Sequence, residues 1–120
     1  MKSGEINSLF RNLSKVTKNP RSDLKYKNKF TLLVSVVLSA QCTDFNVNNV
    51  TKNIYPKYNK PEHFVKLGRK KIEKLIKSIG LFRNKAKSVY LLSKQLIEKH
   101  NGKVPKNFDD LYALPGVGKK

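Results

Sequence analysis

The last seven residues of the chain combine an anion-binding type of turn with two amines. They read Leu-Pro-Gly-Val-Gly-Lys-Lys, from Leu114 to Lys120. Pro115 stops a helix, and Gly116 and Gly118 allow a tight turn with positive φ and no side chain in the way. A loop of this kind that leads into a helix offers free backbone N–H groups to a phosphate oxygen. Taken alone, the pattern is equally typical of a plain connection between two helices.

The net charge indicates a polyanionic partner. The 120 residues include 26 Lys and Arg against 8 Asp and Glu, a formal charge of +18. Such a surface raises the local concentration of DNA or RNA. However, 22 of the 26 basic residues are lysine and 12 residues are asparagine, a composition typical of an A·T-rich genome. We attribute about half of the excess to that bias, judged against the usual mix of both signs.

The N-terminal third contains two predicted helices. The first has apolar residues at i, i+3, i+4 and i+7, which are Ile6, Leu9, Phe10 and Leu13. Residues 14–28 are polar and predict a linker. The apolar segment Phe30 to Ala40 fits a buried strand or a buried helix, and periodicity does not decide between them. Its eleven residues, and the lack of a second strand to pair with, favour a helix.

Two further helices are predicted in the middle of the chain. Thr43 or Asp44 can cap the first of them. Its inner face is formed by Val47, Val50, Thr51 and Ile54. Pro61 suits the first turn of the second helix, which we expect to end at Gly68.

The C-terminal third adds three predicted helices and completes an all-α fold. Ile72, Leu75, Ile76 and Ile79 repeat the i, i+3, i+4, i+7 spacing, and Gly80 is expected to stop that helix. A longer helix contains apolar residues from Ala86 to Ile97 and is expected to end at Asn101-Gly102. Asn107 is predicted to cap a last short helix through Leu114.

Three segments together resemble the endonuclease III superfamily of helix–hairpin–helix DNA glycosylases. Leu114–Lys120 resembles the hairpin signature of that family, and Leu38–Asp44 resembles its second marker. The third marker is matched by Ile76–Phe82, followed by Asn84-Lys85-Ala86. The order and spacing of the segments also agree with the family, and the resemblance covers nearly the whole chain.

The resemblance implies a domain organisation. Residues 26–120 are expected to form part of a helical-bundle DNA glycosylase domain, which reaches the first half of the hairpin at about 107–120. Residues 1–25 are expected to form an N-terminal helix and linker that pack on a C-terminal cluster domain. The family's catalytic aspartate and four-cysteine [4Fe–4S] cluster would lie beyond Lys120. Cys42 is the only cysteine, so this chain by itself is expected to hold no cofactor and no metal.

The resemblance assigns catalysis to Lys120. In bifunctional members the lysine that closes the hairpin signature attacks the sugar, expels the damaged base and forms a Schiff base, and elimination then breaks the strand. Desolvation and the neighbouring Lys119 cation would lower the pKa of this amine and so activate it. The alternatives are a solvated lysine or a simple phosphate contact. The adenine-mismatch branch carries a serine here, which argues against that activity.

The resemblance also implies DNA contacts. Gln41 corresponds to the residue that fills the space left by the flipped nucleotide, and Leu81, helped by Ile79, to the wedge into the opposite strand. A core leucine and a polar residue at a helix end are the ordinary alternatives for Leu81 and Gln41. The phosphate-binding hairpin would consist of Gly116, Val117, Gly118 and Lys119.

These features predict a base-excision DNA glycosylase with abasic-site lyase activity on oxidised pyrimidines. Its partner would be double-stranded DNA with damaged bases or abasic sites, and the whole protein would be a monomer. No apolar run approaches the ~20 residues of a membrane span, and no signal-peptide core is present, so a bacterial cytoplasmic, nucleoid-associated location is expected.

The abrupt end at the motif predicts that the chain is a truncated product and inactive alone. A DNA-binding remnant without enzymatic activity is the alternative. In either case we expect a poorly stable chain, because Leu111 and Leu114 would lack a covering helix.

Overall fold

The computed structural model describes residues 25–39, 42–105 and 108–117, and within this part every regular element is a helix. The elements are α1 (Lys29–Leu38), α2 (Asp44–Thr51), α3 (Pro61–Leu75), α4 (Phe82–His100) and α5 (Phe108–Tyr112). The prediction of an all-α fold is confirmed. The predicted helix around Ile6 to Leu13 and the division at residue 25 lie largely or wholly outside the described residues, so both stay predictions.

Helix α1 is the central element of the core, which explains why its sequence lacks a clear period. Eight of its ten residues are buried, including Thr31 and Ser35, and a helix that is buried all round shows no polar face. Asn28 caps it, because the Asn28 side chain accepts from the Thr31 N–H at 2.8 Å and the Thr31 hydroxyl accepts from the Asn28 N–H at 2.9 Å. The sequence placed Asn28 in a linker, so this capping box was missed.

The buried hydroxyl of Tyr55 ties the turns after α2 to α1. It donates to the Thr31 carbonyl at 3.0 Å and shares a hydrogen bond with the Ser35 hydroxyl. Burial raises the pKa of the Tyr55 phenol well above its usual range, although the bond to Ser35 opposes this shift.

Thr43, and not Asp44, caps α2 through its side chain, since the Thr43 hydroxyl accepts from the Asn46 N–H at 3.1 Å.

Helix α3 consists of two segments that meet at Gly68, as predicted from that glycine. Gly68 has φ 81° and ψ 159°, a conformation that interrupts the helix. The predicted end at Gly80 is wrong. The helix ends at Leu75, and Ile76 at φ −109° and ψ 20° begins a turn in which the Ile79 N–H donates to the Ile76 carbonyl at 2.8 Å. Ile79 is buried as its i+7 position predicted, but a turn, and not a continued helix, carries it into the core.

Helix α4 packs along α3 and contacts α1. It ends at Asn101 and Gly102, which have φ of 55° and 77°, as predicted. None of the described helices is long and apolar enough to span a lipid bilayer.

The expectation that Leu111 and Leu114 would be uncovered is wrong. Each is only 1% exposed, and both belong to the main core cluster together with Val117. The reason is that the turn after α5 folds back onto α1 and α4. Helix α5 itself ends at Tyr112, earlier than the predicted Leu114, although a Leu114 N–H bond to the Leu111 carbonyl at 3.1 Å continues the turn.

Candidate functional site

One stripe of side chains on the first half of α4 organises the candidate site. Leu81 precedes the helix, and Lys85 and Ser88, three residues apart within it, lie on the same side of α4. Leu81 belongs to the third marker, Lys85 is affected by Cys42 of the second marker, and Ser88 packs against Gly116 of the hairpin signature.

Leu81 lies outside the core in a strained backbone conformation. Its side chain is 56% exposed, and its φ of 60° and ψ of 35° are left-handed. This conformation costs a non-glycine residue about 1–2 kcal/mol, and such strain is concentrated at functional positions. The structure therefore excludes the alternative of an ordinary core leucine. It leaves a large apolar side chain on the surface at the start of a long helix.

Lys85 is a buried cation in the first half of α4, near Cys42. The residue is only 5% exposed, and its Nζ has no hydrogen-bond partner in the described part of the protein. Burial lowers the pKa of the Lys85 ammonium, and the nearby Cys42 partly opposes this shift. An electrostatic effect of Cys42 requires proximity, so Cys42 lies near Lys85 and the first half of α4.

Gly116 brings the third segment against the same helix. It has φ 79°, and a Cβ placed on it would lie 2.7 Å from the Ser88 Cβ and 3.2 Å from Val37 Cγ1. No side chain fits this gap, so the backbone of the turn contacts α4 and α1 directly. The outer side of Gly116 is exposed, which leaves its backbone accessible to a ligand.

Two of the residues assigned to DNA contact have buried side chains. Ile79 is 1% exposed and Val117 is 8% exposed, and both belong to the core cluster. Ile79 is therefore placed to support the turn that presents Leu81, while Val117 can offer only its backbone. Their assignment to a DNA surface stays a prediction, with Ile79 acting through the turn that it supports and Val117 through its backbone. Gln41, Gly118, Lys119 and Lys120 lie outside the described residues, so their roles also stay predictions.

Sequence reasoning missed three residues of this region. Lys85 and Ser88 could have been found from periodicity, because they lie on the apolar stripe that includes Val89 and Leu92. Phe45, in the first turn of α2, is 78% exposed and is the most exposed of the large hydrophobic side chains in the described part. The helical period places Phe45 opposite the inner face that contains Val47 and Thr51, so its exposure could also have been found from the sequence.

The residues of this chain do not fit a four-cysteine iron–sulfur cluster. Such a cluster needs four thiolate ligands, and Cys42 is the only cysteine among the 120 residues. In the described residues, no group of three or more His, Cys, Asp or Glu side chains is arranged to hold a metal ion. Asp109 and Asp110 are exposed on α5, before the glycine turn.

The chain belongs to the HhH-GPD superfamily of base excision DNA repair proteins, because the model of that family matches residues 34–118. The resemblance inferred from the three segments is thereby confirmed.

Similar proteins are endonuclease III enzymes. The chain is 48% identical over 115 residues to endonuclease III of Rickettsia prowazekii (strain Madrid E). This match covers 96% of this chain and 54% of that protein. It is 50% identical over 98 residues to endonuclease III of Bacillus subtilis (strain 168), covering 82% of this chain and 45% of that protein. The chain thus spans about half the length of these relatives.

A similar fold occurs in a solved structure described as a trapped endonuclease III–DNA covalent intermediate, an estranged-adenine complex. The TM-score is 0.79 at 42% sequence identity, and the match covers 98% of this chain and 55% of that chain. The likeness therefore extends over almost all of this chain.

We predict that Gly116→Ala destabilises the protein by about 2 kcal/mol or more. The substitution combines a left-handed alanine, at about 1–2 kcal/mol, with a Cβ contact of 2.7 Å that forces Ser88 or the turn to move. Urea unfolding measures the change. Gly80→Ala is the matched control, since a Cβ there meets nothing within 4 Å and should shift stability by less than about 0.5 kcal/mol. Equal effects of the two substitutions would contradict the close packing.

We predict that Lys85→Met stabilises the protein by about 1 kcal/mol, because it removes a buried amine that has no hydrogen-bond partner among the described residues. The pH dependence follows from the lowered pKa of Lys85. The unfolded chain binds the Lys85 proton more tightly than the folded protein does. The free energy of unfolding of the wild type therefore rises with pH between the lowered pKa of the folded state and the unfolded pKa of 10.5.

The measurement is the urea midpoint as a function of pH. Lys85→Met should flatten the rise, whereas Lys87→Met, an exposed neighbour, should retain it. A Lys85→Met variant that is less stable than wild type at every pH would disprove the prediction.

Proposed function

We propose that the protein to which this chain belongs is a DNA glycosylase with abasic-site lyase activity, acting on oxidised pyrimidines in double-stranded DNA. The observation that carries the proposal is the exposed, left-handed Leu81, which directly precedes the helix against which the Gly116 turn packs. Membership of a base excision repair superfamily supports it.

In this mechanism Leu81 enters the duplex opposite the lesion, and Gln41 occupies the space vacated by the flipped nucleotide. Extrusion of a base costs a few kcal/mol of stacking, which inserted side chains partly offset. The backbone N–H groups of the turn at Gly116 to Gly118, together with Lys119, bind a phosphate and hold the strand in register.

The Lys120 amine then attacks the anomeric carbon of the sugar, and the damaged base leaves with the bonding electrons. Loss of a proton from the nitrogen and opening of the ring give a Schiff base. Elimination from this adduct breaks the bond to the 3′ phosphate. A carboxylate and a [4Fe–4S] cluster, both expected of the whole protein, would have to come from residues other than those described above. We place this activity on chromosomal DNA in the bacterial cytoplasm.

We predict that borohydride traps the protein covalently on DNA with an abasic site, and that Lys120→Ala abolishes the adduct. Reduction of the Schiff base fixes the bond between Lys120 and the sugar, so the adduct appears as a shifted band on a denaturing gel. Lys94→Ala, at an exposed lysine of α4, is the matched control and should leave trapping intact, whereas Lys119→Ala should slow it by weakening phosphate binding and by removing the cation that lowers the pKa of Lys120. No adduct, or one that survives Lys120→Ala, contradicts the proposal. Salt-sensitive binding without trapping is the result expected of a non-enzymatic DNA-binding module.

We predict that Leu81→Asn separates stability from function. Asparagine tolerates the left-handed conformation better than leucine, so the variant should be as stable as wild type or more stable by up to about 1 kcal/mol. Cleavage of an abasic duplex should fall about tenfold or more, because the inserted side chain no longer offsets lost stacking.

Single-turnover cleavage measures this effect, and single-stranded abasic DNA serves as the internal control since it requires no wedge. Leu91→Asn, at another exposed leucine of α4, should leave cleavage of both substrates unchanged. An equal loss on duplex and single strand would show that Leu81 does not act as a wedge.

A further inference from the structure

The segment that leads into Leu81 carries a dense group of positive charges. Five of the nine residues from 69 to 77 are basic, and Arg83 follows two residues after Leu81. We define the basic ridge as the exposed cations of this region that have no acidic partner among residues 25–39, 42–105 and 108–117. Its members are Lys70, Lys71, Lys74, Lys77 and Arg83, all of them exposed.

The charges of the ridge are not neutralised within the described part of the protein. The acidic residue in this stretch is Glu73, which pairs with Arg69 at 3.4 Å. Lys70 and Lys74 are four residues apart on α3 and therefore repel each other across one helical turn. A surface that retains such repulsion suits a polyanionic partner, which would relieve it.

Lysine enrichment from base composition does not account for the position of the ridge. Such a bias adds lysine throughout a chain, and it does not add arginine. Only 4 of the 26 basic residues are arginine, yet Arg83 is placed beside Leu81. Its guanidinium lies 5.2 Å from the centroid of the Phe82 ring, a cation–π contact that orients the charge.

The ridge has a fixed position relative to Leu81. Ile72, Ile76 and Ile79 are all buried, at 0–2% exposure, and they anchor the segment from its inner side. Lys77 is four residues before Leu81 and Arg83 is two residues after it. The rise from Lys70 to Lys74 is about 6 Å along α3, close to the axial spacing of two or three phosphates of one DNA strand.

We propose that the basic ridge is a second DNA-binding surface, which binds backbone phosphates of the strand that Leu81 enters. This inference rests on the proposed function, because that function places Leu81 in the duplex. The ridge binds without reading sequence, and it extends the contact from the lesion into the flanking duplex on one side.

The test is the salt dependence of binding between the 120-residue chain and an abasic-analogue duplex. Each lost phosphate contact reduces the slope of log Kobs against log [salt] by about 0.9. The ridge variant Lys70→Gln/Lys71→Gln/Lys74→Gln removes three contacts and should therefore lower the slope by about 2.7. Glutamine has nearly the helix propensity of lysine, and circular dichroism verifies the fold.

The matched control is Lys94→Gln/Lys99→Gln/Lys103→Gln, which removes the same number of exposed cations. Lys94 and Lys99 are about 20 Å or more from Leu81 along α4, beyond a Debye length at 0.1 M salt. We expect the control to change the slope by less than half as much. Equal effects of the two variants would overturn the ridge, because they would indicate a diffuse charge effect.

A second measurement compares the wild-type chain and the ridge variant on modified duplexes. Uncharged methylphosphonates in the strand opposite the lesion, on one side of it, should weaken binding, and the ridge variant should lose no further affinity on that duplex. Equal weakening from either strand would overturn the assignment. If the wild-type chain shows no preference for the abasic duplex over undamaged DNA, the proposed function fails. If the preference is present but the ridge variant keeps the wild-type slope, only the ridge assignment fails.

Discussion

The contact of the Gly116 backbone with Ser88 and Val37 is the constraint on which the rest of the site depends. Because no Cβ fits between the turn and the two helices, the turn rests on the same face of α4 that follows Leu81 and contains Lys85. Segments more than 70 residues apart in the sequence thereby meet at one helix. The side chains of Leu111, Leu114 and Val117 anchor this turn in the core, so the core and the site are formed by the same packing.

Two features of α4 oppose stability, and they lie one turn apart. The left-handed Leu81 has an unfavourable backbone, and the buried amine of Lys85 lacks a hydrogen-bond partner in the described part. Neither improves packing. Proteins generally accept such costs where function requires a particular geometry. Their location at the junction of the three segments agrees with a helix start that presents a side chain to a ligand.

Features that depend on a residue's own backbone could be predicted from the sequence, and features that depend on distant partners could not. Gly68 and Asn101-Gly102 interrupt or end helices through their own positive φ. The end of α3 at Leu75 was missed because Ile79 keeps its core position through a turn. The burial of Leu111 depends on α1 and α4, and no local pattern reports it. In the site, the family-like segments identified Leu81 and Gly116. Periodicity places Ser88 on the apolar stripe of α4, but its close packing against Gly116 follows only from the structure, in which a Cβ on Gly116 would lie 2.7 Å from the Ser88 Cβ.

The placement of the basic ridge on a segment held by Ile72 and Ile76 has a consequence for evolution. Its lysines project outwards, so they can be gained or lost without disturbing the isoleucines that anchor the segment. A drift in genomic base composition towards A·T adds lysine codons, and under the proposed binding to phosphates each lysine added on this segment would lengthen the residence time on undamaged DNA. Nucleotide bias would then act on the speed of a one-dimensional search along the chromosome, with the reactive centre left untouched.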